Sequence, residues 1–245
     1  MSEQVREMFS SIAPRYDVAN IVLSFGLDRL WRRAAVRESG AGAGARVLDC
    51  ATGTGDLALA FRRAVGATGT VVGTDFCEPM LAPARQKAHR AGLGDVRFEV
   101  ADVLALPFPE ASFDVASIAF GIRNVDDPVR GLREMARVVR PGGRVVVLEF
   151  GQPEGAFGAL YRLYSRVLMP RIGGLLTGNR SAYEYLPRTA AAFPAGEQFL
   201  ELMDRSGSFS DRRARSLSGD IAFVYAGTTS AGAQGQGTTG APVAK

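Results

Sequence analysis

Five short apolar runs mark the first two thirds of the chain: Arg46–Cys50, Thr70–Asp75, Val96–Ala101, Phe113–Phe120 and Arg144–Phe150. Between them lie segments with helical spacing of apolar positions, over Asp56–Ala64, Glu78–Ala91 and Pro128–Val139. Runs such as "VVVLEF" are apolar almost without a break, as a strand is when both its faces are covered. The alternation predicts βαβ units, hence a parallel sheet with helices on both sides. Pro79 falls in a first helical turn, where proline is tolerated. Pro141-Gly142-Gly143 is expected to stop the third of these helices and turn into the next strand. Upstream, residues 1–38 carry helical periodicity broken at Pro14, and "ESGAGAGA" (38–45) links them to the first strand. After Gly151 the rhythm changes. Residues 151–207 read as helical, rich in Tyr, Leu and Gly. "FSDRRARSLSG" and "DIAFVYAGT" then read as two closing strands, an antiparallel hairpin through Ser218-Gly219-Asp220.

The last stretch, "TTSAGAQGQGTTGAPVAK" (228–245), is low in complexity and nearly uncharged. It has too little apolar surface to offset its ordering entropy and is expected to be disordered. The chain thus divides into an N-terminal helical lid (1–45), an α/β domain (46–227) with a helical insertion at about 151–207, and a tail (228–245). With 245 residues, 47% of them hydrophobic, it can bury one full core.

The net charge is +4, and the basic residues are scattered among acids. A nucleic-acid binder shows instead a basic stripe with interleaved aromatics, so no nucleic acid is expected. A mild arginine excess suits the anionic face of a membrane. Two cysteines, Cys50 and Cys77, and one histidine make no zinc site. No metal is expected, and the thiols read as buried and reduced. The N-terminus lacks the apolar core of a signal peptide, and no run of about 18 apolar residues spans a bilayer. The expectation is a soluble protein of a reducing compartment.

The first strand leads into "DCATGTGD". In an open α/β sheet ligands sit at the carboxyl ends of the strands, and Gly53 and Gly55 let a ligand approach the backbone. A dinucleotide fingerprint needs a third glycine, which is missing, and Asp56 at the helix start would repel a pyrophosphate. A phosphate loop would need Gly-Lys-Ser/Thr. With Asp49 just before the turn, the site reads as acidic and wants a partner with a cationic end. S-adenosylmethionine fits, with an ammonium, a sulfonium and no phosphate. Asp75 ends the next strand, 20 residues past Gly55, where a carboxylate can accept both ribose hydroxyls. Asp102 follows the third strand, placed to accept from an adenine amino group, with the Val103 N–H facing the ring.

"LDCATGTGD", "GTDFCEPML", "ADVLALPF", "FDVASIAFGIRNVDDP" and "EMARVVRPGGRVVVLEF" resemble class I S-adenosylmethionine methyltransferases. More narrowly, with "MFSSIAPRYDVANIVLSFGLDRLWRR", "RIGGLLTGNRSAYEYLPRTAAAFPAGEQFLELM" and "GDIAFVYAG", the chain resembles the ubiquinone/menaquinone biosynthesis C-methyltransferases over about residues 6–227. The resemblance implies a Rossmann-like, mostly parallel seven-stranded sheet with a C-terminal antiparallel hairpin. It implies cofactor contacts at Thr54, Asp75, Asp102 and Val103, beside Asp49 and Gly53 of the turn. Ala119 stands where some relatives have serine. Ala51 replaces the first glycine of the usual turn, which calls for an ordinary backbone angle there.

The implied reaction is methyl transfer to a ring carbon of a reduced, prenylated quinone. Carbon is a poor nucleophile unless a neighbouring hydroxyl ionises, so the hydroquinone is the expected acceptor. Arg123 and Asn124, just past the fourth strand, are the candidate catalytic pair, Arg123 as a fixed charge for a phenolate and Asn124 to orient an oxygen. Tyr16 and Asp17 read as lid residues, Tyr183 and Tyr185 as pocket residues, and His89 as a surface helix residue. "YEYLP" and "FCEPML" favour demethylmenaquinol as acceptor. A ubiquinone-pathway or dual quinol acceptor, another small lipid or phenol, and a non-catalytic cofactor- or quinone-binding subunit stay open. The missing glycine and Asp56 speak against a nicotinamide oxidoreductase. The apolar segment 156–176, with three arginines, reads as an interfacial or prenyl-tail surface, hence a cytoplasmic enzyme peripheral at the inner face of the membrane. A homodimer is implied by the resemblance alone.

Overall fold

The computed structural model describes residues 3–231. Its centre is a seven-stranded sheet in the order β3-β2-β1-β4-β5-β7-β6. The strands are β1 (Arg46–Cys50), β2 (Thr70–Asp75), β3 (Arg97–Val100), β4 (Phe113–Ala119), β5 (Val139–Phe150), β6 (Phe209–Leu217) and β7 (Ala222–Thr229). β1 to β5 pair in parallel. β7 enters antiparallel between β5 and β6. The hairpin turn is made by Ser218, Gly219 and Asp220, all at positive φ. Order reverses between β1 and β4, so the carboxyl ends of these strands form the crevice where such sheets bind ligands.

The helices are α1 (Glu3–Ile12), α2 (Tyr16–Leu23), α3 (Leu27–Ser39), α4 (Asp56–Val65), α5 (Glu78–Arg90), α6 (Pro128–Val138), α7 (Gly155–Leu163), α8 (Met169–Thr177), α9 (Arg180–Ala192) and α10 (Glu197–Ser206). α6 starts where the Asp127 side chain accepts from the Arg130 N–H, with Pro128 in the first turn. Asn179 caps α9 in the same way, accepting from Ala182. α3, α4 and α5 cover one sheet face, burying Trp31, Leu57, Phe61 and Leu81. α6 and α10 cover the other with Leu132, Met135 and Phe199. No described helix is long and apolar enough to cross a membrane.

β5 starts at Val139, five residues before the apolar run. Pro141-Gly142-Gly143 is therefore not a turn ahead of the strand. It is an irregularity inside it, where the register with β4 shifts and Gly142 takes φ 74°. β7 runs two residues into the segment assigned to the tail, because Thr228 pairs with Arg144 and Thr229 with Phe209. Residues 232–245 lie outside the described part.

The N-terminal segment makes two separate contacts. Ile12, Ala19 and Leu23 pack with Ala182 and Tyr183 of the insertion. Ala13 packs with Cys77 and Met80 beyond β2, with Phe9 and Tyr16 alongside.

Candidate active site

At the end of β1, Asp49 is 1% exposed. Its Oδ2 accepts from the Thr52 hydroxyl at 2.6 Å and its Oδ1 from the Ser117 hydroxyl at 2.7 Å. Burial pushes its carboxyl up to about 6 against these hydrogen bonds. Asp49 thus braces the turn from beneath. Ala51, expected at an ordinary angle, instead has φ 46°, in the left-handed region of the glycine it replaces. Its side chain fits because Gly121 lies opposite: a Cβ on Gly121 would come 2.7 Å from that of Ala51. The left-handed angle costs an L residue about 1–2 kcal/mol, and glycine gives part of that back as entropy. Ala51→Gly is therefore expected to raise unfolding free energy by about 0.5–1 kcal/mol in a denaturant titration.

Asp75 ends β2 and turns back over the same loop. Its Oδ2 accepts from Gly53 N–H at 2.7 Å and its Oδ1 from Cys77 N–H at 2.8 Å. It is 8% exposed, and burial raises its pKa. Asp102, after β3, accepts from Leu104 N–H at 2.9 Å. The Val103 side chain is buried in the core beneath α6. Thr54, 3% exposed, donates to Asp17 Oδ1 of α2 at 2.5 Å. The loop is less acidic than its sequence reads, because Asp56 is compensated. Lys87 Nζ of α5 lies 2.5 Å from Asp56 and 2.6 Å from Asp17, and Arg32 lies 3.8 Å from Asp56. Lys87 was not singled out from the sequence. It is the only lysine among the described residues, where every other strong base is arginine.

Beside this loop, a cavity of about 560 Å³ opens between α2–α3, the ends of β4 and β5, and the insertion helices. Phe120 and Phe150 form an aromatic pair 4.4 Å apart, with Trp31 edge-on to both. Arg32 sits over Phe120 and Arg123 over Phe150, at 5.8 and 5.2 Å. Phe120 is at φ 55°, rare for a bulky residue and of the kind that clusters at functional sites. Tyr16 and Tyr161 line the cavity, and Arg123 acts on both by its charge. Burial nonetheless raises both phenols, Tyr161 to about 12.

Arg123 belongs to a short 3-10 turn after β4. Its side chain is 2% exposed and donates through Nη1 to the Phe120 carbonyl and to Glu149 Oε1, both at 2.6 Å. Its Nε is buried without a hydrogen-bond partner among the described residues. Asn124, buried, accepts from the Tyr185 hydroxyl at 3.0 Å and stands outside the cavity wall. Tyr183 is also outside that wall, fully buried against Gly173. His89 is exposed on α5.

The residues around the turn fit S-adenosylmethionine. Their side chains offer carboxylates to hydroxyl, amino and cationic groups. Lys87, beside the turn, is already held between Asp17 and Asp56 and so is not set to receive a phosphate.

A model of the ubiE/COQ5 methyltransferase family matches residues 1–229. The chain is 57% identical over 227 residues to the ubiquinone/menaquinone biosynthesis C-methyltransferase UbiE of Bdellovibrio bacteriovorus, covering 92% of this chain and 96% of that one. It is 50% identical over 226 residues to the demethylmenaquinone methyltransferase of Deinococcus radiodurans, covering 92% of each. Among solved structures, a SAM-dependent methyltransferase of Thermotoga maritima superposes with TM-score 0.64 at 21% identity, over 91% of this chain and 98% of that one. Phosphoethanolamine N-methyltransferase 2 of Haemonchus contortus, in complex with S-adenosyl-L-methionine, gives 0.59 at 18% identity, over 81% and 52%. At such identities the structures show a shared fold.

Proposed function

The chain belongs to the ubiE/COQ5 methyltransferase family, and from that premise we propose that it methylates a ring carbon of a prenylated quinol, with demethylmenaquinol as the acceptor. It is an S-adenosylmethionine-dependent methyltransferase. The observation that carries the acceptor reading is the aromatic-floored cavity of about 560 Å³ with one buried guanidinium, Arg123, in its wall. A flat ring stacks on such a floor, and a developing oxyanion is stabilised by a fixed positive charge in a dry site.

Thr54, Asp75, Asp102 and Val103 would hold the cofactor, with Gly53 leaving its backbone open to close approach and Asp49 setting the turn. When bound, S-adenosylmethionine would supply an electrophilic methyl on a sulfonium, which a ring carbon would take with loss of a ring proton to water. Arg123 stabilises the ionised hydroxyl that makes the carbon nucleophilic. The guanidinium is already protonated and has no acceptor site, so it cannot take the proton itself. The buried tyrosines, their pKa values raised, stay protonated and act as donors. Asn124, held by Tyr185, fixes the loop that presents Arg123.

The polyprenyl tail leaves by the insertion side. Phe25, Leu160 and Leu175 are 78%, 64% and 86% exposed, and the first two line the cavity. With Arg166 and Arg171 nearby in sequence, this rim suits the anionic inner face of a membrane, where the enzyme docks peripherally.

The test is methyl transfer from labelled S-adenosylmethionine to vesicle-borne acceptors: reduced demethylmenaquinone, a reduced ubiquinone-pathway precursor, and the oxidised form of each. Label in the reduced naphthoquinol alone is the expected result. Label in neither, with S-adenosylhomocysteine still bound, would remove the quinol reading. In the same samples Leu160→Ser/Leu175→Ser should lose most co-sedimentation with vesicles, and unchanged sedimentation would remove the docking surface.

A further inference from the structure

Glu149, near the end of β5, is 1% exposed. It is tied down on several sides. Its Oε1 accepts from Arg123 Nη1 at 2.6 Å and from Phe150 N–H at 2.9 Å. Its Oε2 lies 3.5 Å from the Arg123 backbone N–H. One carboxylate therefore holds both the main chain and the side chain of Arg123. It leaves the guanidinium with a buried Nε that has no partner among the described residues. A buried donor without a partner is costly.

We propose that Glu149 is a positioning residue for methyl transfer: it fixes the Arg123 guanidinium at the acceptor cavity and balances its charge until the acceptor hydroxyl ionises. This rests on the quinol reading above. The balance has a measurable signature. With Glu149 charged, Arg123 attracts an oxyanion less than a bare cation would. Neutralising Glu149 while keeping its shape therefore eases ionisation of the acceptor.

The other charged and titratable groups facing the pair do not obscure that signature. Tyr16 of α2, Tyr161 of α7 and Tyr225 of β7, which feels Glu149, all have pKa values raised by burial. Tyr164, beside Tyr161, is raised as well. Arg32 of α3 is paired with Asp28 at 2.6 Å.

The experiment is the pH dependence of kcat with reduced acceptor. Glu149→Gln should lower kcat about tenfold at its optimum, and move the acidic limb down by about one pH unit. Glu149→Asp should return the limb to its original position while leaving kcat low, since charge is restored and reach is not. A Glu149→Gln limb at the wild-type pH would overturn the proposal. Should Glu149→Gln fail to fold, the pair Arg123→Gln and Arg123→Gln/Glu149→Gln decides, since the double variant orphans no charge. Equal kcat in the two is expected of a residue that acts only through Arg123. A further tenfold loss in the double variant would overturn it. Wild-type protein inactive on every quinol would sink the acceptor reading instead, so the two failures are distinct.

Discussion

Arg123→Gln is expected to lower kcat about 100- to 1,000-fold, the range seen when one preorganised donor is removed from a site of developing negative charge. The loss should fall on kcat rather than on cofactor affinity, because Arg123 stands at the ends of β4 and β5 and makes none of the hydrogen bonds of the 51–55 turn. Glutamine keeps a donor within the cavity wall but no charge. S-adenosylhomocysteine calorimetry on the same sample separates lost chemistry from lost fold. An unchanged Kd with kcat down 100-fold or more is the expected pair of results. A kcat within threefold of wild type would mean that the guanidinium only braces its loop.

The second large effect is expected on binding. Asp75→Ala should weaken S-adenosylhomocysteine binding by about 100-fold or more, since two charge-assisted hydrogen bonds to a diol contribute about 3–5 kcal/mol together. The change removes more than a ligand contact. It also strips the Gly53 and Cys77 N–H groups of their acceptor, so the glycine turn loses its brace from β2. Asp102→Ala, which among the described residues removes one side-chain hydrogen bond, from the Leu104 N–H, serves as the comparison and should lose less. Near-equal Kd values for Asp75→Ala and wild type would displace the cofactor from the end of β2.

The strands of the parallel half were legible because burial on both faces leaves an uninterrupted apolar signal. β1 and β2 end at Cys50 and Asp75, as the apolar runs do. Asp49, Asp75 and Asp102 stood out because a strand end is a fixed place in such a sheet, and a carboxylate there is visible without knowing what lies opposite. β5 was read short, since Pro and Gly signal a turn wherever they occur and only the pairing of Val139 with Phe113 shows the chain already in the sheet. Lys87 and Glu149 were missed for a different reason. Each matters through partners remote in sequence: Lys87 lies 31 residues from Asp56, and Glu149 lies 26 from Arg123. No periodicity links such pairs. The acceptor cavity was the least legible part, as its wall draws on α2, α3, the β4 and β5 ends and the insertion at once. Tyr183 was expected there, and went instead to the interior of the packing between the N-terminal segment and the insertion, where Gly173 leaves room for its ring.

The N-terminal segment touches the loop beyond β2 through Ala13 and the insertion through Ile12 and Ala19, with Tyr16 packed at both contacts. A single stretch of chain thus packs against both the loop beyond β2 and the insertion. Whatever either occupant contributes toward seating that piece is work the other need not do. By thermodynamic reciprocity, the factor by which cofactor tightens acceptor must equal the factor by which acceptor tightens cofactor. Heterotropic linkage between cofactor and acceptor is the expected consequence of that placement, read as an S-adenosylhomocysteine Kd that falls when the acceptor is present.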